Sequence, residues 1–291
     1  MGTSFNLVIY GSDSVSVKQA ASLAWKRIDE INEVFSDYSS TSELYQIHQH
    51  SRTAYFPVSK EFEKVLKVSL IYSKMTQGAF DISIGALSRI WRRAVKMNDF
   101  PSTDQINEAL KSVGYKKIKL KGSFIKLPPG MYLDFGAIAK GYAVDEAYRI
   151  IYDLQFPVVL VDGGGDIYAG DPPPGTEGWS ITSQIRDARG MVKDTLVHIK
   201  NASIVTSGDA YKYIENKGKR YSHIIHPKSG FGIPGPHWVT VRASQAIHAD
   251  ALATALSVLP MGRIKQFRKK WNRTFKSLDS NWHYSMFRPQ E

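Results

Sequence analysis

Residues 133–145 bring together a carboxylate, a glycine, a lysine and the start of a helix, and the last three of these could bind a phosphate. Residues 131–135 are predicted to form a strand, and from Ala139 onward apolar side chains recur at helical spacing. Gly136, in the turn between them, would let the backbone approach a ligand, and Lys140 would add a positive charge to the free N–H groups of the helix N-terminus. The pattern indicates a phosphate site, with an ordinary tight turn and a surface lysine as the alternative.

A second glycine loop follows a second predicted strand. The apolar residues 157–161 lead directly into the sequence D-G-G-G-D at residues 162–166. A loop of this kind also allows close approach of a backbone, so the two glycine loops could face one ligand. The alternative is a tight hairpin in which residues 167–170 form the return strand.

Two oxygen-bearing side chains in the predicted helix 247–259 could bind a metal ion. Asp250 and Thr254 are four residues apart, which places both oxygens on one helical face. Mg²⁺ prefers one or two protein oxygens together with substrate phosphates, so this pair is predicted to be half of a magnesium site. The alternatives are that Asp250 only balances the helix dipole and that Thr254 only packs in the core.

Two histidines, His223 and His226, lie three residues apart in an extended segment. In a strand this spacing points the two side chains to opposite faces, so a shared zinc ion is not expected. The neighbouring residues 203–209 are rich in small hydroxyl side chains and glycine and end in an aspartate.

A mixed set of helices and strands must position these residues. Helices are predicted at 14–35, 60–76, around Trp91, and at 101–113, 139–154, 247–259 and 263–276. Strands are predicted at 4–10, in a hairpin at 118–127, at 157–161, and in the pair 179–183 and 195–199, with a turn at 188–190. The polar loop 36–42 carries a tyrosine, Tyr38.

The composition of the 291 residues is typical of a globular protein with a large core, in one large domain or two small ones. No apolar run approaches the length that spans a bilayer. The absence of cysteine excludes disulfides, thiolate metal sites and a cysteine nucleophile, and it is compatible with an oxidising compartment. The chain opens directly on a strand-like segment, so a targeting peptide either was removed or never existed.

The net charge of +11 raises the question of nucleic-acid binding. The densest basic cluster, at residues 263–276, alternates with Ile264, Phe267 and Trp271 at helical spacing. A solvated face of an amphipathic helix explains that cluster better than a nucleic-acid interface does, so no nucleic-acid partner is expected. A basic surface also suits an anionic substrate or an acidic membrane face.

Taken together and in order, these blocks resemble the ApbE family, whose members are FAD:protein FMN transferases. The matching motifs are M-G-T at 1–3, G-A-F-D at 78–81, the stretch 133–145, the G-G-D block ending at 166, T-S-G at 206–208, the histidine block 223–230 and A-D-A-L-A-T-A-L at 249–256. The resemblance covers nearly the whole chain and rests on several separate motifs.

The resemblance implies a two-lobed α+β architecture, related to the T-fold, in which residues 1–291 form a single domain. Mixed or antiparallel sheets flanked by helices would leave a cleft between the lobes for FAD. The family moves FMN from FAD to a threonine hydroxyl of a partner protein, with Mg²⁺, and releases AMP. Because such acceptors are commonly exported redox subunits, it also implies a periplasmic or cell-envelope location, with possible membrane proximity through an N-terminal anchor that was removed.

The resemblance also assigns roles to individual residues of this chain. It implies that Mg²⁺ is held by Asp250, Thr254 and main-chain oxygens of Ala137 and Ala253. It implies that FAD contacts Met1, Tyr38, Ala79, Phe80, Asp81, Asp134, Lys140 and Ile225. The implied catalytic residues are His223, Asp250 and Lys140, with His223 as the base that takes the threonine proton. The alternative for His223 is a purely structural hydrogen bond to its loop.

One departure from the family pattern concerns the histidine block. His226 stands where the family usually has an aspartate, and Asp209 is a conjectural substitute for that carboxylate. Two other functions stay open, and the departure at His226 favours the second of them. Water could replace threonine as the attacking group, which would give a Mg²⁺-dependent FAD pyrophosphatase, or the protein could bind FAD without catalysis.

Overall fold

The computed structural model describes residues 2–52, 54–186, 192–209, 212–274 and 282–287. The α-helices of the described residues are α1 (Ser14–Phe35), α2 (Glu43–His50), α3 (Lys60–Met75), α4 (Gly85–Met97), α5 (Thr103–Leu110), α6 (Ala139–Asp153), α7 (Ala246–Val258) and α8 (Met261–Thr274). None of these helices is both long and apolar enough to cross a membrane.

The strands begin with β1 (Asn6–Ile9), β2 (Phe56–Pro57), β3 (Lys119–Lys121), β4 (Phe124–Lys126), β5 (Val159–Asp162), β6 (Asp166–Ala169) and β7 (Trp179–Arg186). They continue with β8 (Val192–Ile199), β9 (Ala202–Gly208), β10 (Tyr213–Asn216), β11 (Lys219–Ile225), β12 (Gly232–Pro234), β13 (Trp238–Ala243) and β14 (His283–Phe287).

A six-stranded antiparallel sheet, in the order β1-β5-β6-β9-β13-β14, is the centre of the fold. Helices α6 and α7 pack on this sheet and against each other, and α1 packs on α6. A smaller sheet, β10-β11-β12, contacts α4 and α7. The predicted α+β class, with antiparallel sheets flanked by helices, is confirmed.

Helix α7 is the most deeply buried helix of the core. Every one of its residues is buried except Thr254, which is only partly exposed. Alanine occurs repeatedly along α7, and its small side chain lets the helix lie close to both α6 and the sheet. A helix that is apolar on nearly all sides is buried on nearly all sides, and α7 fits this rule.

The sequence predictions of the helices agree with the structure to within a few residues. The prediction of a strand at 131–135 is wrong, because only a single bridge, between Ile84 and Tyr132, forms there. The backbone groups of this stretch bind scattered partners instead: the Leu133 N–H donates to His48 Nε2 at 2.8 Å and the Asp134 N–H to the Ile82 carbonyl at 2.7 Å. Helix α2 was not predicted, and the predicted turn at 188–190 lies outside the described residues.

Candidate active site

A cavity of about 1300 Å³ opens where α4, α7, β9, β11 and the two glycine loops meet. Its walls include most of the residues singled out in the sequence, namely Tyr38, Ala79, Phe80, Asp81, Asp134, Ala137, Lys140, His223, Ile225, Asp250 and Thr254. Segments more than 200 residues apart in the chain therefore meet at one cavity, which is large enough for a dinucleotide. Met1 lies outside the described residues, and Ala253 is not among the described residues that line the cavity.

Asp250 and Thr254 both reach the cavity from α7, one helical turn apart. Asp250 Oδ2 accepts the Gly141 N–H at 3.1 Å, and Thr254 Oγ1 lies 3.3 Å from Ser207 Oγ. The described residues contain no group of three or more His, Cys, Asp or Glu side chains suited to a metal. A donor set of one carboxylate, one hydroxyl and nearby carbonyls nevertheless fits Mg²⁺, which takes its remaining ligands from phosphates and water.

The two carbonyl donors implied by the resemblance are placed differently. Ala137 lines the cavity in the loop that precedes α6. Ala253 is buried inside α7, and its carbonyl accepts the Ser257 hydroxyl at 2.9 Å. Of the two, only Ala137 is brought to the same cavity as Asp250 and Thr254.

Lys140 lies in the first turn of α6, as predicted, and forms an ion pair with Asp166. Its Nζ is also 3.9 Å from Asp250 Oδ2. Burial acts to lower the pKa of Lys140, but the charges of Asp166 and Asp250 outweigh it and raise that pKa. Lys140 is therefore a permanent cation at the cavity wall. Asp166 was not predicted as a site residue, although it ends the G-G-D block.

The second glycine loop is the turn between β5 and β6, so the hairpin alternative considered for it is correct. The loop still contributes to the cavity, since Gly164 and Gly165 line the wall. Both have positive φ angles, 68° and 94°, which favour glycine. Gly136, by contrast, lacks a positive φ, and its N–H donates to Asp134 Oδ1 at 2.8 Å.

His223 is exposed on β11 at the cavity wall. Its Nδ1 lies 3.1 Å from the Lys212 carbonyl oxygen. Because a carbonyl only accepts, Nδ1 carries the proton and Nε2 keeps its lone pair. Partial desolvation lowers the pKa of His223; the hydrogen bond to the Lys212 carbonyl opposes this effect, and the Lys212 charge adds to it. The imidazole is thus neutral near pH 7, with Nε2 available to accept a proton.

Several predicted FAD contacts organise the cavity wall. Asp81 is buried, and its carboxylate accepts N–H groups from Ser83 and Tyr115, each at 2.9 Å. Phe80 and Ile225 are also buried, whereas the Tyr38 side chain is 72% exposed at the cavity mouth. The wall therefore offers apolar surface and the exposed aromatic ring of Tyr38 to a ligand.

The Asp209 carboxylate binds residues other than the turn at position 226. It is buried, and its Oδ2 accepts from Arg220 Nε at 2.8 Å while its Oδ1 accepts the His237 N–H at 2.9 Å. These contacts fix the segment after β9 to β11. The conjecture that Asp209 substitutes for the missing aspartate receives no support from these contacts.

His226 itself performs the hydrogen bonding expected of an aspartate in a turn. Its Nδ1 accepts the N–H groups of Lys228 and Ser229, each at 3.3 Å, in the loop between β11 and β12. A carboxylate at this position would accept from the same groups. Unlike a carboxylate, the imidazole accepts there only while Nδ1 is unprotonated.

Because a histidine occupies position 226 where the family usually has an aspartate, we expect the folded protein to lose stability at mildly acidic pH. Desolvation and the Lys228 charge lower the pKa of His226 below its usual value of about 6.5. As the pH falls below that value, the unfolded chain binds a proton that the folded chain does not, so stability decreases. The Tm of His226→Asp should fall less than that of the wild type between about pH 6.5 and 5. Equal pH profiles would contradict this role for His226.

Asp145 and Gly141 of α6 fix the position of α7. The Asp145 carboxylate accepts the N–H groups of Ala246 and Ile247, at 2.7 and 2.8 Å, and so caps the start of α7 from a neighbouring helix. Burial raises the pKa of Asp145 to about 7, against the effect of these hydrogen bonds. At Gly141, a Cβ atom would lie 2.3 Å from the Ala246 carbonyl oxygen, so only glycine allows this approach.

Comparison with known families matches residues 1–276 to the ApbE family. The FAD:protein FMN transferase of Haemophilus influenzae is 30% identical to this chain over 260 residues, which are 84% of this chain and 74% of that protein. The enzyme of the same name from Escherichia coli is 29% identical over 283 residues, covering 91% of this chain and 78% of that one.

A solved structure agrees with the sequence relatives. The ApbE protein of Thermotoga maritima superposes with a TM-score of 0.83 at 27% identity, covering 99% of this chain and 94% of that chain. Fold, motifs and sequence relatives all point to the same assignment, and we conclude that this chain belongs to the ApbE family and is a transferase.

Proposed function

We propose that the protein transfers FMN from FAD to a threonine hydroxyl of an acceptor protein, in a Mg²⁺-dependent reaction that releases AMP. The observation that carries the proposal is the meeting of three groups at one cavity: the unprotonated His223 Nε2, the Lys140 cation and the oxygen pair of Asp250 and Thr254. The relatives named FAD:protein FMN transferase support the transfer of FMN from FAD to a protein.

The bond changes follow from the chemistry of a pyrophosphate. The threonine oxygen attacks the phosphorus of the FMN half, and the bond from that phosphorus to the bridging oxygen breaks. His223 Nε2 takes the hydroxyl proton, because a neutral imidazole is a suitable base near pH 7. AMP leaves with the bridging oxygen and the electron pair of the broken bond.

The remaining groups stabilise negative charge during this step. Lys140 lies at the cavity wall with a fixed positive charge, where it can pair with a phosphate oxygen. Mg²⁺, held by Asp250, Thr254 and the Ala137 carbonyl, would neutralise charge on the pyrophosphate and on the departing AMP. Asp166 keeps the Lys140 ammonium near Asp250.

Mass spectrometry of an acceptor tests the proposal directly. The protein is incubated with FAD, Mg²⁺ and a peptide that carries a D-G-x-T motif, with the Thr-to-Ala peptide and a chelator as controls. We expect FMN on the threonine peptide only, together with an equal amount of AMP. AMP without a modified peptide would indicate an FAD pyrophosphatase, and intact bound FAD would indicate a non-catalytic flavin-binding protein.

The proposal includes a periplasmic or cell-envelope location, since the acceptor proteins of this reaction would be exported redox subunits. The cysteine-free sequence is compatible with an oxidising compartment. Fractionation of cells that produce the natural protein tests this part, and recovery in the cytosolic fraction alone would contradict it.

A further inference from the structure

Arg92 on α4 connects two predicted FAD contacts, although no motif pointed to it. Its Nη2 donates to Asp134 Oδ2 at 2.8 Å, and its Nη1 forms an ion pair with Asp37. The guanidinium carbon also lies 5.3 Å from the centre of the Tyr38 ring. One side chain thus contacts Asp134, Tyr38 and the residue that precedes Tyr38.

The contact with Arg92 joins the loop that carries Tyr38 to α4, in addition to the hydrogen bonds that join this loop to α1 and α2. Within the loop, Ser36 Oγ accepts the N–H groups of Tyr38 and Ser39, at 3.3 and 3.2 Å. These bonds shape the loop but tie it only to itself. The ion pair between Asp37 and Arg92 joins it to α4, which also lines the cavity.

Helix α4 is a firm support for Arg92. The adjacent Trp91 is buried, and its Nε1 donates to the Gly230 carbonyl at 2.8 Å. At the start of α4, a Cβ atom on Gly85 would lie 2.5 Å from the Tyr132 carbonyl oxygen, so the helix lies directly against the segment before Asp134. The guanidinium is therefore presented by an element with little freedom to shift.

Charge gives a second reason for an arginine here. The Asp37 and Asp134 side chains are only 15% and 16% exposed, and both line the cavity. Without Arg92 two carboxylates would face each other beside a site for an anionic dinucleotide. A planar guanidinium can bind both at once, whereas an ammonium acts as a single point charge.

We propose that Arg92 is a positioning residue for FAD, which fixes the Tyr38 ring and the Asp134 loop in the geometry that receives the flavin. The inference rests on the proposed function, because it takes FAD as the ligand of the cavity. Arg92 acts through Tyr38 and Asp134 and takes no part in the bond changes.

Titration of the whole protein with FAD, followed by flavin absorbance and fluorescence, tests this role. We expect Arg92→Ala to raise the Kd for FAD about 10-fold or more, the effect of losing charge-assisted hydrogen bonds. The spectral change of the bound flavin should shrink as well, because the Tyr38 ring is no longer held. Arg92→Lys should recover part of both signals, and Arg93→Ala, at the exposed neighbouring position, should leave them unchanged.

A double-mutant cycle distinguishes the loss of the Arg92–Asp37 contact from a general change in the charge of the cavity. Asp37→Asn should weaken FAD binding by itself but add little in the Arg92→Ala background, because both changes break one contact. Thermal unfolding shows whether each variant is folded. If Arg92→Ala does not fold, the FAD titration of Arg92→Lys tests the inference instead. A folded Arg92 variant with the wild-type Kd and flavin spectrum would overturn the inference, as would an equal loss in Arg93→Ala. Failure of the proposed function would appear separately, as wild-type protein that leaves the acceptor peptide unmodified.

Discussion

Replacement of His223 by alanine is expected to lower the rate of FMN transfer by about 100- to 10,000-fold, the usual contribution of a general base. The expectation rests on the hydrogen bond from Nδ1 to the Lys212 carbonyl, which leaves Nε2 unprotonated toward the cavity. FAD binding should persist, because the other cavity walls are unchanged. Single-turnover transfer to the threonine peptide, together with an FAD titration, measures both quantities.

The surface residue His198 provides a matched control for this substitution. It is an exposed histidine on β8, outside the cavity walls, and its Nδ1 lies 3.1 Å from Ser180 Oγ. His198→Ala should therefore transfer FMN at the wild-type rate. Full transfer by His223→Ala with FAD bound would remove His223 as the base and leave it a structural hydrogen bond to its loop.

The second large effect is expected at Gly141, where an added methyl group has no room. The Cβ atom of Gly141→Ala would lie 2.3 Å from the Ala246 carbonyl oxygen and 2.8 Å from the Ile247 nitrogen. Both are backbone atoms of α7, so the helix must move as a whole. We expect a loss of stability of about 3 kcal/mol, at the upper end of overpacking effects. FMN transfer should fall in parallel, because α7 carries Asp250 and Thr254.

Gly262 offers a control of the same substitution type in another helix. It lies near the start of α8, and a Cβ atom there would meet nothing within 4 Å. Gly262→Ala should keep full activity and gain up to about 1 kcal/mol from helix propensity. Chemical denaturation and a Mg²⁺ titration of both variants check the comparison. Equal stability of Gly141→Ala and the wild type would show that α6 and α7 can separate without cost.

Local patterns in the sequence predicted the elements and part of the site. Helical periodicity identified α1 and α7, and the four-residue spacing placed Asp250 and Thr254 on one face of α7. These predictions succeeded because they depend on residues a few positions apart. The magnesium ion itself and its ligands remain part of the proposal.

The contacts that organise the cavity could not be predicted in the same way. Asp145 caps a helix that begins 101 residues later, and Arg92 binds Asp134 across 42 residues. No local pattern records such pairs, because they depend on how the elements pack. The strand predicted at 131–135 failed for a related reason, since a buried histidine, His48, captures a backbone N–H that a strand neighbour would otherwise bind.

The burial of α7 has a consequence for the entropy of ligand capture. Binding groups in most proteins lie on surface loops, which must become ordered when the ligand arrives. Here Asp250 and Thr254 lie on the helix that the core encloses most completely. Their geometry is set during folding, so these two side chains would lose little conformational freedom on binding the proposed Mg²⁺ and FAD.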